Sequence, residues 1–226
     1  MILLRALLIA CGLVAPLAAH AQAPMLYEQR LPDGWGLLRY VNTLAEPAAF
    51  RSDFDLPRNI GTDGAARVTP YHVIEDVAGK TLETVVTVGG QTARLRFTLE
   101  PNAFGTLLLM REGDQLVARV IRDTTEFNQL RARLTFYNAT TECGPSTLSL
   151  DPGGQSVLAD VTPGSMRART VAPAAARLRA TCAGARVGPI DLGRLEAAQL
   201  VSVWIIAPGG TPLLFRSTDT IAPPGR

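Results

Sequence analysis

The chain is short of the side chains that most enzymes use. Its 226 residues include two histidines, three cysteines and a single lysine, Lys80. His20 and Cys11 lie in an amino-terminal stretch with the features of an export signal, which leaves His72, Cys143 and Cys182. A zinc site needs several His, Cys or carboxylate ligands converging. One histidine and two cysteines do not supply that, and neither a metal nor a cofactor is expected. A Ser-His-Asp hydrolase would have to use His72 as its base. No Gly-x-Ser-x-Gly elbow is present, and Thr69 stands where an Asp-x-x-His pairing would need an aspartate. His72 reads as a polar residue beside Tyr71 near a strand.

Other absences narrow the field further. Gly89-Gly90, Gly153-Gly154 and Gly209-Gly210 lack the following Lys-Ser/Thr of a phosphate loop and read as turns. The acidic pairs Asp53/Asp55 and Glu75/Asp76 fall in turn-rich segments and read as solvated, although paired carboxylates are what a glycosidase needs. Lys+Arg number 22 against 20 Asp+Glu, with no block of one sign, so there is no surface built to grip nucleic acid. Beyond the amino terminus no segment approaches the ~20 apolar residues of a membrane span.

That amino terminus is a targeting segment. Met1 to Arg5 carries one positive charge, Ala6 to Ala18 is apolar, and Ala19-His20-Ala21 is a small-x-small site. The expected cleavage follows Ala21 and exports the chain from the cytoplasm. No stable membrane insertion is expected.

The exported part contains a repeat. Leu38-Arg39-Tyr40-Val41-Asn42 recurs in pattern as Leu134-Thr135-Phe136-Tyr137-Asn138, 96 positions later, and a glutamate follows four residues on in both, Glu46 and Glu142. The same offset carries Leu99-Glu100 onto Leu195-Glu196, Gly113 onto Gly209, and the run Leu107 to Met110 onto Val203 to Ile206. A constant spacing of this size indicates two copies of a domain of roughly a hundred residues. The boundaries are residues 1–21 for the signal peptide, 22–122 for the first domain and 123–226 for the second, with Arg122 to Gln129 as a polar linker.

Strand signals dominate both copies. Trp35 to Asn42, Phe50 to Leu56, Thr81 to Val88, Ala93 to Leu99, Leu107 to Met110 and Leu116 to Ile121 read as strands in the first. Arg131 to Asn138, Thr147 to Leu150, Ser156 to Val161, Leu178 to Cys182, Leu200 to Ile206 and Thr211 to Arg216 do so in the second. Ala66 to Val73 alternates only loosely. Gly89-Gly90, Gly113 and Pro208-Gly209-Gly210 connect hairpins. Thr218 to Arg226 reads as a loose tail. Short strands with turns about every 8–12 residues, and no long amphipathic helix, predict an all-β fold of two tandem antiparallel β-sandwiches.

Candidate binding residues are the strand aromatics and their neighbours: Tyr27, Trp35, Tyr40, Asn42, Tyr137 and Asn138. Flat rings on a sandwich can stack on sugars, and they can equally fill a core. Neighbours in a strand point to opposite faces, so one member each of Tyr40-Val41 and Phe136-Tyr137 must face outward. Asn138-Ala139-Thr140 spells a glycosylation sequon. Cys143 and Cys182 could form a disulfide in an oxidising compartment or remain two small buried thiols.

Leu26-Tyr27, Pro32, Gly34 and the strand Leu38-Arg39-Tyr40-Val41-Asn42 resemble the opening of AlgF-type alginate O-acetylation proteins, and Leu134 to Asn138 resembles that family's second domain. The resemblance implies a periplasmic, non-catalytic accessory protein of two β-sandwiches. It would bind periplasmic O-acetyltransferase proteins and a membrane-bound acyltransferase that modify an exopolysaccharide, with direct contact to the polysaccharide left open. Other classes that the residues allow are a chaperone-like protein binding by strand addition, a secreted carbohydrate-binding module, and an acetyl-transferring enzyme built on His72.

Overall fold

The computed structural model describes residues 31–123 and 126–223. The predicted signal peptide and Tyr27 lie outside them. Eight strands form the first half: β1 (Gly36–Asn42), β2 (Ala48–Ser52), β3 (Arg58–Ile60), β4 (His72–Ile74), β5 (Thr81–Val88), β6 (Gln91–Thr98), β7 (Phe104–Glu112) and β8 (Gln115–Arg122). Eight more form the second: β9 (Ala132–Asn138), β10 (Ser146–Leu150), β11 (Ser156–Val161), β12 (Ser165–Val171), β13 (Ala175–Cys182), β14 (Ala185–Arg194), β15 (Leu200–Ile206) and β16 (Leu213–Thr218).

The two halves repeat one topology. In the first, sheets of order β4-β1-β7-β8 and β3-β2-β5-β6 face each other. In the second the orders are β12-β9-β15-β16 and β11-β10-β13-β14. The pairings are antiparallel except for β1 with β7 and β9 with β15, which are parallel. Leu37 pairs with Phe104 and Arg133 with Leu200, a separation of 67 residues in both halves. Gly36 and Gly105 leave room for the Leu99 side chain to lie across the parallel pair; a Cβ at either glycine would meet it.

Alternation along the strands explains three separate apolar clusters. Leu38, Tyr40, Leu107 and Leu109 face the outer sheet of the first half, and Leu134, Phe136, Val203 and Ile205 do the same in the second. The opposite faces of the same strands supply Val41, Leu108, Met110, Tyr137, Trp204 and Ile206 to a third cluster, which joins the halves. The two inner sheets therefore pack on each other, and the sheets stack as four layers. Every residue of β1 and β9 is buried because both faces of these strands are covered.

Some local expectations shift. The strand expected at Phe50 to Leu56 runs instead over Ala48–Ser52 as β2, and a second short strand, β3, follows the turn. Within Ala66 to Val73 lies part of a 3-10 turn, Gly64–Arg67; Val68 is extended and bridges Val41, and the strand β4 begins at His72. The edge strands β12 and β14 carry no clear apolar alternation; β14 contains Pro189 and pairs irregularly with β13. Gly89 and Gly90 make the β5–β6 turn with φ of 54° and 82°, a conformation that costs glycine little. The tail is not loose at its start. Tyr71 N–H donates to the Thr220 carbonyl and Ala222 N–H donates to the Tyr71 carbonyl, both at 2.8 Å.

Cys143, in the loop before β10, is bonded to Cys182 at the end of β13, 39 residues on. Closing a loop of that length in the unfolded chain is worth about 4 kcal/mol. Replacing both cysteines with serine should lower stability by several kcal/mol, read as a lower denaturant midpoint. Reduction of the wild-type protein should give the same shift.

Candidate functional site

The most unusual chemistry lies where the inner sheets meet. Arg39 is 1% exposed at the centre of β1. Its side chain projects from the face opposite Leu38 and Tyr40, so it enters the seam. Its Nε donates to Thr106 Oγ1 at 2.8 Å, its Nη1 to Asp219 Oδ1 at 2.7 Å and its Nη2 to Tyr137 Oη at 2.7 Å. The guanidinium lies 4.5 Å from the ring centroid of Tyr71, 5.2 Å from Tyr137 and 4.9 Å from Trp204. Tyr137 and Trp204 stack at 4.0 Å. Aromatic faces and a planar cation attract, most strongly when water is excluded.

Two carboxylates complete the set. Asp123 accepts from Tyr71 Oη at 2.7 Å, Tyr137 Oη at 2.6 Å and Thr106 Oγ1 at 2.6 Å. Asp219 accepts from Arg39 and also from Ser202 Oγ at 2.7 Å. Arg133 Nη2 stands 3.8 Å from Asp219. Two arginines thus face two aspartates in a site closed on both sides by sheets. Asp123 and Asp219 are 96 positions apart, as are Thr106 and Ser202, so each half contributes the same hydroxyl–carboxylate pair. The symmetry breaks at the positions of Arg39 and Thr135, and of Val41 and Tyr137.

Electrostatics follow from this enclosure. Burial by itself would lower the Arg39 pKa, but Tyr137, Tyr71, Asp219 and Asp123 outweigh it and hold the guanidinium charged. Burial raises the Tyr71 and Tyr137 phenols well above their usual value; both aspartates push the same way and Arg39 opposes. Burial also raises Tyr40, with Asp55 adding to it. The arrangement is a satisfied structural network. The donors of Arg39, Tyr71, Tyr137, Thr106 and Ser202 are spent on one another and on the two aspartates, and these side chains are buried.

The sequence-based candidates have different places. Tyr40 is in the first core, 4.9 Å from the Phe50 ring. Tyr137 belongs to the seam. Trp35 is half-buried ahead of β1. Asn42 and Asn138 are fully buried and tie down the turn that leaves each inner sheet. Asn42 Nδ2 donates to the Glu46 and Gly61 carbonyls, and Asn138 Nδ2 to those of Gly144 and Val161. The repeated asparagine is thus a loop anchor, and the sequon at Asn138 is closed to a glycan. Of the candidates, only Tyr137 joins the cluster. Sequence reasoning missed Arg39, Tyr71, Thr106, Asp123, Ser202 and Asp219. The signal was available, since the offset that aligned the two strand motifs also superposes the aspartates and the hydroxyls. His72 is buried in β4, and burial, with Arg58 adding, holds its pKa below the usual value. Among the described residues no group of His, Cys, Asp or Glu is placed to hold a metal ion, and no helix is long and apolar enough to cross a membrane.

Fold and seam together define a tandem β-sandwich protein whose modules share one buried polar joint. No family model matches the chain, and no curated protein matches it. Among solved structures, a weak neighbour is the C-terminal domain of AlgF from P. aeruginosa. It is 22% identical, with a TM-score of 0.33, over 39% of this chain and 98% of that domain. A likeness at that level is too slight to carry an argument about activity.

Replacing Arg39 with methionine should cost about 3–5 kcal/mol, because it strands two buried carboxylates; equilibrium denaturation measures the loss. Alkaline titration probes the phenols. Their folded pKa values lie above the unfolded value of about 10, so the stability they contribute is present below pH ~10 and is lost as pH rises beyond it. Phenolate absorbance from Tyr40, Tyr71 and Tyr137 should therefore appear together with unfolding, not before it.

Proposed function

We propose that the chain is an exported, non-catalytic accessory protein for O-acetylation of an exopolysaccharide, alginate-like or cellulose-like. In this role it binds the periplasmic O-acetyltransferase proteins and the membrane-bound acyltransferase. The observation that carries the reading is where the reactive side chains are spent. His72 is packed within β4, and the carboxylates and phenols of the seam are closed on Arg39. The resemblance of Leu26 to Asn42 to AlgF-type proteins supports the choice of process. The disulfide suits an oxidising compartment.

In a host that acetylates its polymer, deleting the gene should abolish polymer O-acetylation, and a His72→Gln copy should restore it. A folded His72→Gln protein that fails to restore acetylation would establish an enzyme using that imidazole. Affinity capture from periplasmic extract separates the adaptor from a strand-adding chaperone: the first recovers acyltransferase components, the second pilus-type subunits.

A further inference from the structure

The seam between the inner sheets has two mouths, and they differ. At one, the β4 edge meets the β16 edge, and the chain closes it with its own backbone. Residue 71 forms a parallel bridge with Ile221 and exchanges two main-chain hydrogen bonds with Thr220 and Ala222. The Tyr71 ring fills the space behind this bridge, edge-on to Phe104 at 5.0 Å and facing Arg39. At the other mouth the β8 edge meets the β12 edge. There lies an open groove of about 650 Å3, lined by Val120, Ile121 and Arg122 on one side and by Met166, Arg167 and Ala168 on the other.

The internal repeat makes the two mouths comparable residue by residue. Extending the β1–β4 register by one residue puts Tyr71 opposite Arg39. Arg39 corresponds to Thr135, and Thr135 pairs with Ala168. Ala168 therefore occupies the place of Tyr71, with a methyl group where the first half has a phenol ring. It lies on β12, which, like β4 in the first half, is an edge strand whose outer side pairs with no other strand of its sheet. An edge of this kind accepts an added strand.

We propose that this groove binds an extended segment of a partner protein by strand addition along β12, as the tail of the chain does at residue 71. The vacancy at Ala168 receives a large apolar side chain, and Arg122 and Arg167 select carboxylates. Arg122 is partly neutralised by Glu100, whereas Arg167 has no ion-pair partner among the described residues. Arg119, which approaches Glu112 at 4.0 Å, closes one end by donating to the Pro163 carbonyl at 3.5 Å. The proposal stands on the seam geometry and is independent of the process in which the protein works.

The test uses the full exported chain and a phage-displayed library of random peptides about ten residues long, roughly the length of a long strand. Selected peptides should alternate apolar with acidic residues. As synthetic peptides they should bind the wild type and lose about tenfold or more in affinity to Ala168→Tyr, which fills the vacancy as Tyr71 does. Arg167→Glu should weaken them similarly, and thermal unfolding should show both variants folded. No enriched peptides, or peptides that bind Ala168→Tyr as tightly as wild type, would overturn the proposal. Dimerisation of the chain that Ala168→Tyr abolishes would also overturn it, by making a second copy the occupant.

Discussion

Arg39 is a charge without water, and the arrangement of both halves accommodates it. Moving a guanidinium out of solvent costs several kcal/mol, and only well-placed counter-charges and hydrogen bonds offset the loss. The required partners come from across the sequence: Thr106 on β7, Tyr137 on β9, Ser202 on β15, and Asp123 and Asp219 just beyond β8 and β16. These bonds are directional, so they are satisfied together in one register of the inner sheets. The surrounding apolar cluster supplies adhesion, and the polar network sets how the sheets meet.

The seam also shows how two like-built units are joined. Each half keeps the hydroxyl–carboxylate pair and the anchoring asparagine. Single positions differ: arginine against threonine, tyrosine against valine, tyrosine against alanine. The first two differences provide a cation and a ring that one network can share. The third leaves one mouth of the seam sealed by the chain and the other open.

Much of the layout was legible in the residues. Alternation and Gly-rich turns located most strands, and the offset of 96 residues revealed the two copies. Weakly patterned edges were harder. β12 and β14 each carry two arginines and are mostly half-buried or exposed, so no strong period marks them. The surroundings of the candidate residues were less legible. Tyr40, Asn42 and Asn138 stand out in sequence as repeated features, yet repetition here reflects a shared folding need.

The order of residues determined that this chain forms two similar β-rich modules, since the strand period and turn chemistry are local properties. It also determined that reactive groups are few, with one lysine, two histidines and three cysteines in the whole chain. Only tertiary packing decided which face of β1 and β9 met the other module, because an alternating strand has two faces and its own pattern does not name the partner of either. Packing likewise turned a seemingly loose carboxyl-terminal tail into a seal. The bonds that hold Asp219 and Thr220 reach residues 39 and 71, too far along the chain for any local pattern to register.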